Sequence, residues 1–262
     1  MKKSVLLFLT LILLTPSLAF SGIITIKIGF FIPRADSDLW QEEFRQMDFG
    51  KSHYYNSNFC FTYEYFVTKQ LSFTLGIDGY LKNKSGIYNG YFGVLGSVFG
   101  EEVDFAFPNG LEGDFFANEM FSIIHNFNVS ITPIQFSMKL YPMGRQGKIM
   151  PYIGGGVGLY IWYVRLEGDW VDFNDDTWVY GVDTQIYPVY LTYAREDSRF
   201  TIGYQGFAGI MIPVAQRFTF EAEFKYNYAQ ANFRTGSDAS FTGYDAFDLS
   251  GYQFSLGLNY WF

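Results

Sequence analysis

The sequence predicts an all-β fold, an eight-stranded antiparallel up-and-down transmembrane β-barrel with short turns at one end and long loops at the other. Three observations predict it. Large apolar residues recur at every second position in eight separate segments, the pattern of strands with one greasy face and one polar face. Short turns join six of these segments into three hairpins, so those neighbours run antiparallel. Although 49% of the residues are hydrophobic and 21% aromatic, mean hydropathy is only +0.04, as expected when half of each membrane-crossing strand is polar.

The chain opens on Met1, Lys2 and Lys3, an apolar run from Val5 to Leu14, and then Ser17, Leu18 and Ala19. A basic start, a short apolar stretch and small residues at the cleavage positions describe a signal peptide over 1–19, leaving 20–262 as one barrel domain. No later stretch of about 20 apolar residues exists, so only a closed barrel could satisfy its backbone in lipid. Ile24, Ile26, Ile28, Phe30 and Ile32 make the first strand. Phe59, Phe61, Tyr63 and Tyr65 make the second, and past a turn at 66–70, Leu71, Phe73, Leu75 and Ile77 make the third. Ile134, Phe136, Met138 and Leu140 pair across 142–148 with Ile153, Val157, Leu159 and Ile161. Ile202, Tyr204, Ala208, Ile210 and Ile212 pair across 213–217 with Phe218, Phe220, Ala222, Phe224, Tyr226 and Tyr228. Phe254, Leu256, Leu258, Tyr260 and Phe262 make the eighth strand. The longer connections, 34–57, 82–128, 164–199 and 229–248, fall at the opposite end.

The last nine residues, FSLGLNYWF, are about one tilted spanning strand long. They resemble the C-terminal signature of bacterial outer-membrane barrels, whose terminal Phe and alternate apolar residues are read by the barrel assembly machinery. That resemblance implies Leu258, Tyr260 and Phe262 as the assembly signal. With the run PYIGGGVG at 151–158, residues 20–262 resemble the OmpA-like and OmpW-like eight-stranded barrel families. The resemblance implies a bacterial outer-membrane location among its lipids, periplasmic turns, extracellular loops and, on the OmpW-like side, passage of small or hydrophobic solutes. The alternative is a structural or surface-interaction barrel with a plugged lumen and acidic ligand-binding loops.

Charge is segregated along this plan. The four long loops hold 22 of the 26 acidic residues against 9 basic ones, a net −13, while the short turns hold Lys69, Arg145, Lys148 and Arg217. Loops so acidic repel nucleic acid and phosphate-bearing lipopolysaccharide and suit divalent cations or cationic ligands. The polar strand faces carry Lys27, Glu64, Asp78, Lys139, Glu221, Glu223 and Lys225. In a soluble barrel turned the other way these would line an apolar cavity, at prohibitive cost unless paired. In a membrane barrel of eight strands the lumen is just wide enough to be filled by side chains, and the seven form a charge network across it. Gly154, Gly156 and Gly158 point inward on one strand and relieve crowding there.

Little in the chain suggests catalysis or a cofactor. Its two histidines, His53 and His125, lie near loop ends without a nucleophile in a recognisable arrangement, and the single Cys60 reads as a small interior side chain. Asp172, Asn174, Asp176 and Asp183 fall at positions 1, 3, 5 and 12 of a calcium-loop-like spacing, with Thr177 where that motif needs Gly. A solvated acidic loop is the ordinary reading, and a metal site the sharper one. The second and third loops are too aromatic for free coil. They cap the mouth, extend the strands, form a hydrophobic opening or, in the third, add a hairpin that makes ten strands.

Overall fold

The structure is a computed structural model and describes residues 22–98, 101–108, 120–145, 147–175, 178–180, 184–236 and 239–262. The expected signal peptide over 1–19 lies outside them. Eight strands form the ring: β1 (Gly22–Pro33), β2 (Asn56–Phe66), β3 (Leu71–Ile87), β4 (Ile124–Leu140), β5 (Met150–Val171), β6 (Thr184–Ala215), β7 (Phe218–Tyr228) and β8 (Gly251–Trp261). Each pairs antiparallel with the next, and β8 pairs with β1 from Ile23–Trp261 to Pro33–Gly251, which closes the barrel. Closure pairs every strand on both sides over the height the eight strands share, which leaves no free edge there.

The two faces of the wall separate as the sequence alternates. Phe220, Phe224, Leu256 and Leu258 point outward and are exposed, Leu256 by 71%, while Lys27, Glu64 and Glu221 point inward and are buried. At ~3.4 Å per residue and a tilt of about 40°, the outward series from Tyr252 to Phe262 on β8 rises about 25 Å, the height of a transmembrane apolar band. Tyrosines mark one rim of that band, with Tyr226 and Tyr252 in contact at 5.0 Å between ring centres.

Half of the barrel is much taller than the rest. β3 and β4 run for 17 residues, β5 for 22 and β6 for 32, against 11 or 12 for β1, β2, β7 and β8. The stretches 82–128 and 164–199, expected as loops, are therefore largely wall. The barrel itself remains eight-stranded, because β5 and β6 simply continue their ladder up to Val171–Val189 rather than adding a hairpin to the ring. Short strands in the connections join this wall: Tyr91–Val98 pairs with Glu101–Pro108, which pairs with β6 at Ala106–Tyr187, and Trp178–Tyr180 pairs with the start of β6.

The polarity of the wall inverts along these tall strands without a change of phase. On β5 the outward residues run Ile153, Val157, Leu159 and Ile161, then Tyr163, Arg165, Glu167 and Asp169; the inward ones pass from Tyr152 and three glycines to Trp162, Val164 and Leu166. On β4 the outward series Leu140, Met138, Phe136 and Ile134 gives way to Thr132, Ser130 and Asn128, while inward Lys139, Ser137 and Gln135 give way to Ile131, Val129 and Phe127. Below the switch the outside suits acyl chains; above it, water.

Over the short side, segments fold against the inner face of the tall side. Helix α1 (Asp38–Gln46) buries Leu39, Trp40 and Glu43, and a 3-10 turn, Lys51–Tyr54, buries Tyr54. Trp40 stacks on Phe247 at 5.4 Å, meets Tyr54 and Phe127 edge-on, and donates its indole N–H to the Asp248 carbonyl at 3.0 Å. The helix was not expected within 34–57. Nine residues are too few for independent helicity, and it stands by its packed face. This aromatic core fills the upper barrel as a head would fill a dome.

Candidate functional site

The lower lumen holds the seven sequence-expected charges, and they meet. Lys27 on β1 and Glu221 on β7 both stand opposite Gly257 of β8 in their ladders. Because Gly257 places no side chain between them, Lys27 Nζ reaches Glu221 Oε1 at 3.0 Å and Glu223 Oε2 at 2.8 Å. Lys139 bridges Glu221 at 3.1 Å and Glu64 at 3.2 Å, and Lys225 pairs with Asp78 at 3.0 Å. Gly156 acts in the same way on β5: it is flanked by Ser137 and Gln205, whose side chains hydrogen-bond across it. A Cβ at Gly156 would overlap the Phe136 carbonyl oxygen. Each of the three ammonium groups meets at least one carboxylate, and pairing is the condition for burying charge.

Neutral donors extend the network. Tyr141 donates to Glu64 at 2.6 Å and Ser72 to Glu64 at 2.5 Å, and the single Tyr152 O–H lies between Glu221 and Glu223 and is shared by them. Their part was not drawn from the sequence, although each lies at an inward position in the alternation. Cys60 is buried on the same face, opposite Asp78. Beneath, Phe66 stacks on Trp261 at 5.5 Å, with Tyr141, Met150 and Met211 beside them, and closes the floor. Two cavities in the lumen measure about 10 and 20 Å³, each with room for about one water molecule.

At the far end the molecule opens. A cleft of about 930 Å³ lies between α1, the top of β5 and β6, and the segment 242–244. Its walls carry Asp38, Glu42, Glu43 and Asp172 against Arg45 and Arg195, with Tyr91, Trp170, Phe173 and Tyr244 as aromatic surfaces. Arg195 lies 4.2 Å over the Trp170 ring and donates to the Tyr193 hydroxyl at 2.8 Å. Tyr244 donates to Glu42 at 2.7 Å. Burial, then the nearby Glu42, push the Tyr244 hydroxyl well above its ordinary range, so it is a neutral donor.

Of the two histidines, His53 is exposed on the 3-10 turn, where its ring nitrogen accepts from Gly50 N–H at 3.0 Å. His125 is buried beneath the cleft, with Nε2 2.7 Å from Glu43 and Nδ1 3.0 Å from the Tyr88 hydroxyl. Burial and Glu43 push Tyr88 far above its ordinary range. Tyr88, His125 and Glu43 thus form one buried hydrogen-bonded chain. This chain ties α1 to the wall. Asp172 accepts from Asn174 N–H at 3.0 Å and lines the cleft; Asp176 and Asp183 lie outside the described residues. Among the described residues no group of three or more His, Cys, Asp or Glu side chains is placed to hold a metal ion. Leu258, Tyr260 and Phe262 are exposed at the floor end of β8, where Phe262 N–H donates to the Gly22 carbonyl at 3.2 Å and Tyr260 accepts from Arg217 at 3.2 Å.

No family model and no curated protein matches the chain. Solved structures of low identity do. The Neisserial surface protein A is 12% identical, with 92% of this chain and 96% of that one covered, at a TM-score of 0.44. The attachment invasion locus protein Ail of Yersinia pestis, solved with the heparin analogue sucrose octasulfate, is 11% identical over 92% and 99%, at 0.43. The N-terminal β-barrel domain of Pseudomonas aeruginosa OprF is 8% identical over 92% and 98%, at 0.37. The ladders of this chain establish its architecture without them: it is a closed, eight-stranded antiparallel barrel with a polar interior at the level of its apolar outer band.

Proposed function

We propose that the protein spans the bacterial outer membrane as a closed barrel and works at its extracellular end, where the cleft binds a cationic organic ligand. The observation that carries this reading is the contrast of volumes: cavities of about 10 and 20 Å³ inside the barrel against a cleft of about 930 Å³ at its mouth. Carboxylates beside aromatic faces attract ammonium and guanidinium groups, the first by charge and the second by the ring quadrupole. Arg195 over Trp170 is an internal instance of the same contact. The filled lumen and its aromatic floor favour this reading over the passage of solutes. Outer-membrane lipid around the band, and the assembly machinery at Leu258, Tyr260 and Phe262, are the partners that go with it.

The test is calorimetric titration of the refolded protein with spermidine, beside a planar-bilayer recording. Binding that weakens in the Glu42→Gln and Asp172→Asn variants, with no steady conductance, supports the proposal. Steady single-channel current, or heats unchanged in the variants, overturns it.

A further inference from the structure

Above Tyr204, β6 parts from its neighbour. Its ladder to β7 begins only at the Tyr204–Tyr228 pair, whereas its ladder to β5 continues through Thr201–Tyr160, Arg199–Trp162 and Ser198–Tyr163. The chain leaving β7 runs beside this open edge without pairing to it and holds it by side chains: Thr201 donates to the Gln230 carbonyl at 2.9 Å. Between them lies a recess of about 470 Å³, lined by Ser198, Arg199, Phe200, Thr201, Asn232 and Arg234.

The recess is cationic in a molecule whose loops are acidic. Arg234 is braced by buried Asp197, whose Oδ1 lies 3.0 Å from Nε as an ion pair and whose Oδ2 accepts the Arg234 backbone N–H at 2.7 Å, and by the Ser198 carbonyl, which accepts from Nη2 at 3.2 Å. The Ser198 bond occupies one Nη2 proton, and the guanidinium stays half exposed. The Arg199 side chain is exposed and has no ion pair or hydrogen bond among the described residues. Two guanidinium groups against one carboxylate leave one positive charge in excess. The height of the recess matters as much. Phe200 and Ile202, exposed by 71% and 68%, are the top of the apolar band on β6, and Ser198 and Glu196 follow directly above. A cationic recess therefore opens at the level where acyl chains end and headgroups begin.

We infer that this recess binds the phosphorylated headgroup of a membrane lipid, with the guanidinium groups of Arg199 and Arg234 on the phosphate at the inner side of the open β6 edge and an acyl chain that rounds this edge onto the outward Phe200 and Ile202. Planar guanidinium forks match phosphate oxygens and hold them by charge-assisted hydrogen bonds. Lipid in this position also covers the edge that β7 leaves open, which a bare strand edge at a membrane surface requires. The inference rests on the membrane reading above. It departs from the expectation that the loop end of the barrel repels phosphate, because the acids dominate the mouth and not this flank.

The full chain, refolded in phosphatidylcholine nanodiscs, is challenged with phosphatidic acid, with diacylglycerol of the same chains and with inorganic phosphate, and bound lipid is read by native mass spectrometry. Phosphatidic acid should be retained about tenfold more strongly than by Arg199→Gln, the effect of one charge-assisted contact, with Arg199→Lys between them and diacylglycerol lost. Equal retention by wild type and Arg199→Gln overturns the site. Displacement of phosphatidic acid by equimolar inorganic phosphate overturns its assignment to lipid. Flotation with pure phosphatidylcholine vesicles tests the membrane reading separately, since it needs the apolar band and not the arginines.

Discussion

The lower and upper halves of the barrel share the same wall and the same two-residue period, yet their interiors are opposite. The lower interior is a lattice of lysines, glutamates and tyrosine hydroxyls; the upper is packed with Trp40, Phe127, Trp162, Phe233 and Phe247. The difference lies outside. Where the outer face is apolar, the polar half of each strand has nowhere to go but inward, and pairing makes that tolerable. Where the outer face is charged, as at Arg165 and Glu167, which pair at 2.6 Å, the apolar half is driven inward as in any soluble domain. Alternation fixes which residues share a face, and the surroundings decide which face is greasy.

The comparison can be broken most severely from below. Glu221→Leu removes the carboxylate that Lys27 and Lys139 share and leaves each with one partner, Glu223 and Glu64; the two charge-assisted bonds lost, at about 1.5–3 kcal/mol each, should together cost about 3–5 kcal/mol. The urea midpoint of the whole barrel should fall. A Glu221→Leu midpoint equal to wild type would mean the network is solvated and the lumen open. Truncating Trp40 to Ala in the upper half removes a comparable side chain, at about 3 kcal/mol, but the loss should stay local. Proteolysis of 34–55 should accelerate while the barrel midpoint holds. If both fall together, the two halves are one cooperative unit.

A smaller effect separates them by pH. Burial, with Glu43 nearby, raises the Tyr54 and Tyr88 hydroxyls in the head far above their ordinary range. Both stay protonated in the folded state when the unfolded chain ionises, so the folded head binds more protons and its stability falls as pH rises above about 10. Near-ultraviolet circular dichroism should lose head signal there before heat-modifiability of the barrel changes. Simultaneous loss would deny the head its separate stability.

Much of this was legible in the residues. The period-two runs located all eight strands, and the parity of Lys27, Glu64 and Glu221 placed them on one face, because side-chain direction in a strand is strictly alternate. The upper half was not. At Tyr163 on β5 and Thr132 on β4 the apolar series changes faces, so a reader following one greasy stripe sees it stop and takes the rest for loop. The inward series Trp162, Val164 and Leu166 was there to be followed instead, and connections of that length should have raised suspicion. Helix α1 offered less, since its apolar residues cluster around Leu39, Trp40 and Phe44 and its stability comes from partners far along the chain. The cleft and the Glu43–His125–Tyr88 chain join residues from distant segments, which no spacing rule brings together.

The separation of Lys27 from Glu221, 194 residues along the chain, sets the order in which the barrel can be finished. The first strand carries an ammonium group whose counter-ions are made almost last, so until the seam between β1 and β8 zips shut that group must stay wet. A partly built sheet thereby keeps an inner surface that is charged and short of partners. Locking comes only with the complete ring, as a clasp holds only when both ends of the chain reach it.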